Sequence, residues 1–486
     1  MAMLMVEDSE PAMQLENQFF ALPATLTDRW RTENEKLNPT TILTDNGSAG
    51  DINFFIPPST SGLLSLADMI LELEVGIKVR KGTGEWEAMT AADGVAPVNN
   101  FLHSLFSSCH VTVANRLISD AATFYPYRAY LESLLSYTTD AQNSQLTSAA
   151  FYHDTALRFN DETLNKGEKN RKALFDGGNY VQLSGKLFAD LFDQSKPLCT
   201  GVPVNIRLVV SRPEFSLRLW DQDATKSFKP FIRNARLSIR RYIPSPDFLT
   251  AVMGELLKKT VKYHIERVVM RVSDIAQKTQ STVVSNLQIG QIPKVAFIGF
   301  VDSEDFHGSS KRSPFNFQHF NLTQISVEVD GQSYPNKPYM ADFERSLSLE
   351  CYDGLLDTLG HRPSLQGSLP FTRIQYNQGY TLYGFDLTPG HTGRGPLTLI
   401  KQGNLSVSVS FGKPLVKTIM MVCMLVYDSV IEINQHRQLI ADFSTCTASK
   451  STRPCRAIRS PPKLFVVFLP VMKYPRHYNP IPQRVW

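Results

Sequence analysis

Val98 to Ser119 reads VNNFLHSLFSSCHVTVANRLIS, and about 200 residues later Phe315 to Pro335 reads FNFQHFNLTQISVEVDGQSYP. Asn100-Phe101-x-His103 matches Asn316-Phe317-x-His319. Val111-x-Val113 with a turn at Asn115 matches Val327-x-Val329 with a turn at Asp330-Gly331. Tyr125-Pro126 and Tyr334-Pro335 follow, and an amphipathic helical pattern comes after each. Further on, GVPVNIRLVV from Gly201 echoes GNLSVSVSF from Gly403. The offset shrinks from 216 residues (Asn100 to Asn316) to 209 (Tyr125 to Tyr334) to 202 (Gly201 to Gly403), so the insertions differ while the order of elements holds. A period of about 200 residues is far beyond a solenoid unit and matches a whole domain. The chain therefore reads as one domain duplicated in tandem.

The segments between turns identify the domain type. Leu71, Leu73, Val75, Ile77 and Val79 alternate with polar residues, the period of a half-buried strand. Similar runs occur at 52–56, 202–210, 215–220, 231–243, 261–272, 294–302, 325–331, 380–387 and 397–411, each bounded by Gly, Pro, Asn or Asp. Short strands with such punctuation predict β-sandwiches. Thr418 to Ile433 is continuously apolar at its start, as expected for a strand covered on both faces. Helical patterns are few, at 124–137, 342–360 and 249–260. Pro244-Ser245-Pro246 breaks the strand pattern and predicts the domain boundary. The expected layout is an N-terminal arm over 1–50, a first sandwich over 51–246, a second over 247–433 and a tail over 434–486.

The 486 residues are 42% hydrophobic and 20% charged, a globular composition, and the net charge of +4 is too mild to select a partner. The first residues carry no basic region followed by a long apolar core, so no secretory signal is expected. The apolar run Ile419 to Tyr427 is less than half of the ~20 residues that a membrane helix needs. Six cysteines show no C-x-x-C spacing and read as buried free thiols.

Enzyme signatures are missing from the sequence: there is no G-x-x-x-x-G-K-[ST], H-E-x-x-H, G-x-S-x-G or G-x-G-x-x-G. DSEDFH, Asp302 to His307, gathers acids and a histidine, and reads as a solvated loop after a strand rather than a metal or acid–base site. His103 and His319 hold matching repeat positions in separate domains, which argues for hydrogen-bonded structural roles over a shared metal. Asn99, Asn100 and Asn316 read as turn or cap residues. Tyr127 and Tyr130 form a stripe expected in the core, with an interface as the alternative. The tail is basic, with Arg453, Arg456, Arg459 and Lys463, and reads as a solvated arm or as a sequence-independent contact to nucleic-acid phosphates.

IPPSTSGLLSLADMILELEVGIKV, NNFLHSLFSSCHVTVANRLIS, YPYRAYLESLLSY, GFVDSEDFHGSSKRSPFNFQHFNLTQISVEVDGQSYP and GYTLYGFDLTPG together resemble the hexon-like major capsid proteins of Polinton/Maverick elements and adintovirus-like viruses. The resemblance spans about Ile52 to Ile433; the residues after Ile433 depart from it. It implies an all-β fold with a few short helices: two tandem eight-stranded jelly-roll sandwiches, a double jelly-roll. It also implies a structural virion protein, made inside the host cell, that forms a homotrimer and tiles an icosahedral shell. The implied partners are other copies of the chain, a minor capsid or penton protein and, non-specifically, packaged DNA. No enzyme activity, cofactor or small-molecule substrate is implied. The repeat-signature residues Asn99, Asn100, Phe101, His103, Tyr125, Pro126, Asn316, Phe317, His319, Tyr334 and Pro335 are then structural or interface positions. The rival readings are a two-domain lectin-like binding protein, a cupin-like enzyme and a domesticated host copy that no longer assembles. The insertions Asp140 to Gly178 and Tyr352 to Gln378 are expected to project as towers.

Overall fold

The computed structural model describes residues 31–41, 50–118, 124–221, 223, 225–362, 369–388 and 401–441. Period-two alternation builds its strands as expected. Along Leu63–Lys81, Leu71, Leu73, Val75, Ile77 and Val79 are buried while Glu72, Glu74, Lys78 and Arg80 stay partly exposed.

The first half contains β1 (Arg31–Leu37), β2 (Ile52–Ile56), β3 (Leu63–Lys81), β4 (Glu87–Ala88), β5 (Val95–Pro97), β6 (Phe106–Val113), β7 (Arg116–Leu117), β8 (Val181–Lys186), β9 (Val204–Val210), β10 (Leu217–Leu219) and β11 (Lys226–Ile243). The second contains β12 (Val261–Ile275), β13 (Ser281–Gln291), β14 (Val295–Asp302), β15 (Leu322–Val329), β16 (Gln332–Met340), β17 (Leu382–Asp386), β18 (Gln402–Phe411), β19 (Ile419–Ile433) and β20 (Leu439–Ala441). The helices are α1 (Phe101–Ser104), α2 (Tyr125–Ser136), α3 (Thr139–Asn143), α4 (Lys166–Phe175), α5 (Pro213–Ser216), α6 (Pro246–Leu256), α7 (Ser303–His307), α8 (Leu349–Thr358) and α9 (Arg373–Tyr376).

Set aside the short β4, β5, β10 and β20, and among the described residues each half has eight strands with one topology. Counted along the chain, the first, eighth, third and sixth form one sheet: β1-β11-β3-β8 and β12-β19-β14-β17. The second, seventh, fourth and fifth form the other: β2-β9-β6-β7 and β13-β18-β15-β16. Neighbours are antiparallel throughout. This is the jelly-roll order, present twice. The segments GVPVNIRLVV and GNLSVSVSF that echo one another contain β9 and β18, the seventh strand of each roll.

Four elements differ from the sequence reading. Arg31–Leu37, assigned to the arm, is the first strand of the first roll, and all seven of its residues pair with β11. Its sequence, RTENEKL, is polar on both faces because it is an edge strand in solvent, so no apolar period marks it. The half-exposed β13 at another edge was hidden for the same reason. The strand pattern continues past Ile433, because the chain turns and β20 pairs with the end of β19. The helix expected over 342–360 occupies only Leu349–Thr358. Its first part is a turn in which Asp342 and Leu347 exchange backbone hydrogen bonds around a left-handed Ser346.

The two rolls do not keep separate cores. Tyr263, Ile265, Ile431, Ile433 and Leu439 of the second half join the first core. Tyr127, Tyr130, Leu131, Leu134 and Leu135 of α2, with Phe151 and Phe159, join the second. Every residue of β14 is buried, as are the first ten of β19. Side chains on alternate faces of a strand need two covers. One face of these strands meets the second roll's own core. On the other, Val295, Phe297, Met424 and Val426 share a slot with Leu135 of α2. Tyr130 stacks on Phe315 with ring centroids 4.3 Å apart, and the Tyr127 hydroxyl donates to the Pro314 carbonyl (3.1 Å). The stripe expected in the core is thus in the core, but in the neighbouring roll's.

A buried ion pair locks this arrangement. Arg128 on α2 is 2% exposed, contacts Asp190 at 2.6 Å and donates to Glu132 at 2.7 Å. Asp190 in turn accepts the backbone N–H of Val268 in β12 (3.1 Å), which ties the first roll's charge pair to the second roll. Removing one partner of a buried pair leaves the other charge uncompensated and costs about 3–5 kcal/mol. Arg128→Met should therefore lower stability by that order in a denaturant titration. The wild-type rolls should unfold in one transition, and two well-separated transitions would refute the shared core.

Candidate functional site

The repeat-signature residues occupy two places in the fold. In the first roll, Asn99 and Asn100 precede α1. Asn99 Oδ1 accepts the N–H groups of Asn100 (2.8 Å) and Tyr152 (3.0 Å), while its Nδ2 donates to the Tyr152 carbonyl (2.6 Å) and Asp154 (3.0 Å). Asn100 adopts a left-handed conformation at the start of α1 and its side chain caps nothing. Asn tolerates that region better than most residues. Phe101 is buried edge-on to Phe175. His103 is buried, with Nδ1 2.9 Å from the Tyr125 hydroxyl and its ring edge-on to Phe188. Burial holds its imidazole down to about 3, so it is neutral. Tyr125-Pro126 opens α2, where a proline in the first turn loses no helical hydrogen bond.

In the second roll, Asn316 does not open a helix. Phe317 donates its N–H to the Gly379 carbonyl (3.0 Å) and Gln318 donates to Phe300 (3.0 Å), which keeps the segment extended. His319 stacks on Phe343 (4.1 Å) and accepts the Asn321 N–H at Nδ1 (3.0 Å); burial holds it down to about 4. Tyr334-Pro335 lies inside β16, an edge strand, where a missing N–H costs no internal ladder bond. Besides the seventh strands, the part of the repeat that is structurally equivalent is the hairpin. Ala114-Asn115 and Asp330-Gly331 are both left-handed pairs, and both join the fourth strand to the fifth. His103 and His319 remain in separate rolls with separate partners.

Asn99 belongs to a polar knot that sequence reasoning missed. Arg171 on α4 is 3% exposed and donates to the carbonyls of Pro97 (3.0 Å) and Tyr152 (3.1 Å) and to Asp154 (2.8 Å). Asn165 donates to the same carboxylate (2.9 Å), and beside it Glu168 and Arg218 form a second buried pair. The Tyr380 hydroxyl donates to the Asp154 carbonyl (2.6 Å), and the Leu157 N–H to the Gln378 carbonyl (2.9 Å), tying the knot to the second roll. Gly379 is required here: with φ +109, any Cβ on it would collide with Phe159. Part of the insertion expected to project, 140–178, is therefore buried between the rolls. The partners are too far apart along the chain for any local motif to reveal them.

The chemistry of the remaining candidates is quiet. Among the described residues, no group of three or more His, Cys, Asp or Glu side chains is placed to hold a metal. The DSEDFH stretch forms α7 rather than a loop. Asp302 accepts the Glu304 N–H (3.0 Å), and Arg312 bridges Asp302 (2.9 Å) and Asp305 (3.3 Å). Burial pushes the Asp305 carboxyl up to about 6, against the pull of Arg312. These groups edge a cleft of about 770 Å³ shared with Arg158, Asn316, His319 and Lys417. Cys109, Cys199, Cys351 and Cys423 are free and buried, and burial pushes Cys109 and Cys351 up to about 12, so these thiols stay protonated. Arg453, Arg456, Arg459 and Lys463 lie outside the described residues.

No family model matches the chain. The uncharacterized Caenorhabditis elegans protein F54H12.2 is 26% identical over 320 residues, which is 65% of this chain and 74% of that protein. A chain of the Sputnik virophage superposes with a TM-score of 0.62 at 12% identity, covering 91% of this chain and 96% of that one. The Faustovirus major capsid protein gives 0.55 at 9% identity (86% and 93% covered), and the mavirus major capsid protein 0.52 at 11% (90% and 96%). At such identities the likeness is one of fold, and the shared fold is the double jelly-roll derived above.

The neutral His103 makes stability depend on pH. Its folded pKa lies below the ordinary 6.5, so the unfolded chain binds a proton that the folded chain refuses. The contribution is complete above about pH 6.5 and is lost as pH falls toward 3, amounting to about 2 kcal/mol at pH 5. Going from pH 7 to pH 5 should cost His103→Gln less stability than wild type, as read from urea midpoints. An equal loss in both would remove His103 from this role.

Proposed function

We propose that this chain is a major capsid protein whose three copies associate into a pseudo-hexagonal capsomer, and whose capsomers tile an icosahedral shell. One observation carries the reading: two rolls of identical strand order, fused through a shared core, in a fold shared over most of its length with mavirus and Faustovirus major capsid proteins. A threefold ring of such chains presents six similar units, and closing it requires a heterologous contact, one roll's face against a neighbour's other roll. The exposed apolar residues Phe55 in the first roll and Val283 and Ile289 in the second support that contact, since both rolls carry them on the same sheet type.

Residues 31–246 and 247–433 are then the two rolls, the first beginning earlier than its hydrophobic pattern suggests. Arg31 pairs with Ile243, and β20 lies against Ile433; Arg116 in the first roll's hairpin donates to the Leu439 carbonyl (3.3 Å). The basic composition of Arg453, Arg456, Arg459 and Lys463 supports a non-specific contact with packaged DNA. A minor capsid or penton protein would complete the shell's vertices. Synthesis in the host cell and residence in the virion follow from this reading, and no cofactor or small-molecule substrate enters it.

A second reading is favoured by one observation, the relative from an animal: a genome-resident copy that keeps the fold and does not assemble. Light scattering with negative-stain imaging separates the two. The capsid reading expects a mass of three times 54.6 kDa with hexagonal outlines, or larger shells. A monomer at every salt and protein concentration would overturn it and leave the domesticated copy or a lectin-like binder.

A further inference from the structure

The cleft of about 770 Å³ beside α7 is built by both rolls. Residues 157–161 of the first form one part of its wall, and 316–321, 377–379 and the turn 413–417 of the second form most of the rest. Its main chain is already paired. The Leu157 N–H donates to the Gln378 carbonyl (2.9 Å), Phe317 to Gly379 (3.0 Å), Gly412 to Asn321 (2.8 Å) and Leu415 to Thr279 (3.0 Å). These bonds fix the walls before a ligand enters, which lowers the ordering cost of binding. They also occupy the backbone groups through which an added peptide strand would pair.

The charges are matched as well. Arg158 lies 3.5 Å from Asp161, Lys413 2.6 Å from Glu344 and Lys417 3.5 Å from Asp302, beside the Arg312 pairs with Asp302 and Asp305. Among the described residues every cation lining the cleft thus has a carboxylate next to it, whereas a phosphate or sulfate chain is held chiefly by unmatched cations. What remains open is a set of amides. Among the described residues the side chains of Asn316, Gln318, Asn321 and Gln378 line the cleft half-buried and form no hydrogen bond. An amide presents donor and acceptor side by side, a pattern that two neighbouring hydroxyls complete. Phe320 and Asn321 both take a left-handed backbone, φ +46 and +54, which is rare for a phenylalanine and is a strain that collects at ligand sites. The half-buried Phe320 lines the cleft too and gives an apolar surface for the C–H face of a sugar ring.

We propose that this cleft binds an uncharged oligosaccharide, its hydroxyls held by the amides of Asn316, Gln318, Asn321 and Gln378 and its apolar face by Phe320. A cleft of this size with a few convergent polar groups has the usual form of a small-ligand site. Matched charges select against an anionic ligand, and paired main chain selects against a peptide strand. Binding needs one folded chain, so the inference does not rest on the shell reading.

The test titrates the full chain with maltotriose, chitotriose and lacto-N-tetraose in separate calorimetric experiments. At least one should bind with a dissociation constant of about 1 mM or tighter. The double variant Gln318→Ala, Gln378→Ala should bind that sugar about tenfold more weakly or worse, the loss of two hydrogen bonds. Its melting temperature should match that of wild type, since neither side chain has a partner within the protein, and this separates lost binding from lost folding. Lys413→Gln should leave the affinity within about twofold, and so should an about tenfold rise in sodium chloride, because no net charge is paired. The proposal fails if none of the sugars binds, if the double variant binds as wild type does, or if affinity falls steeply with salt. Sialyllactose binding more than about tenfold tighter than lactose would assign the cleft to an anionic ligand. Displacement of the sugar by an uncharged Gly-Ser decapeptide would assign it to a peptide instead.

Discussion

Helix α2 belongs to the first roll by sequence and to the second by packing. Its tyrosines and leucines cover the outer face of β14 and β19, two strands that are apolar on both sides and would otherwise face water. Large aromatic side chains contribute much of the apolar area that such a contact removes from solvent, about 150–250 Å² each. Tyr127 and Tyr130 also direct the contact, one through its hydroxyl on Pro314 and the other through its ring on Phe315. The Arg128–Asp190 pair sits at the same place and is joined to the backbone of β12. Such a pair adds little net stability compared with an apolar filling, while leaving either charge unpaired is costly. Apolar burial holds the rolls together here, and Asp190 adds one hydrogen bond across the junction.

The segment between β7 and β8 shows how an insertion can be buried. An interior loop must find a partner for every backbone polar group. Asn99, Asn165 and Arg171 provide those partners, each reaching across a turn to a carbonyl, an N–H or the Asp154 carboxylate. The cost of placing charges there is offset because each charge is met by several hydrogen bonds. The result is a wedge rather than a projecting loop.

Much of this architecture was legible in the residues. The alternation along β3, β9, β11 and β18 marks strands because each has one face in a core, and the duplicated hairpin marks the doubling because Asn115 and Gly331 serve the same turn. What was illegible shares a physical cause. The edge strands β1 and β13 gain their stability from backbone pairing, which leaves no trace in side-chain polarity. The junction rests on contacts such as Asp154 with Arg171 and Tyr380, whose members are brought together only by the finished fold. The matching Asn and Tyr-Pro positions were misleading in part. Asn100 begins a helix and Asn316 an extended segment, so local similarity there reports ancestry more than conformation.

The exchange of α2 also has a consequence for how the chain is made. The first roll leaves the ribosome well before its complement exists: Tyr127 awaits Pro314, 187 residues downstream, and Asp154 awaits Tyr380, 226 downstream. Domains are generally completed one after another during synthesis, at about 5–20 residues per second. This first roll can close its two sheets on that schedule, yet for roughly ten seconds or more its helix carries an uncovered apolar face. During that interval the nascent chain resembles a half-finished interface. Many copies made side by side on one message could cover one another's helices, unless the second roll arrives first or a chaperone occupies the place meant for it.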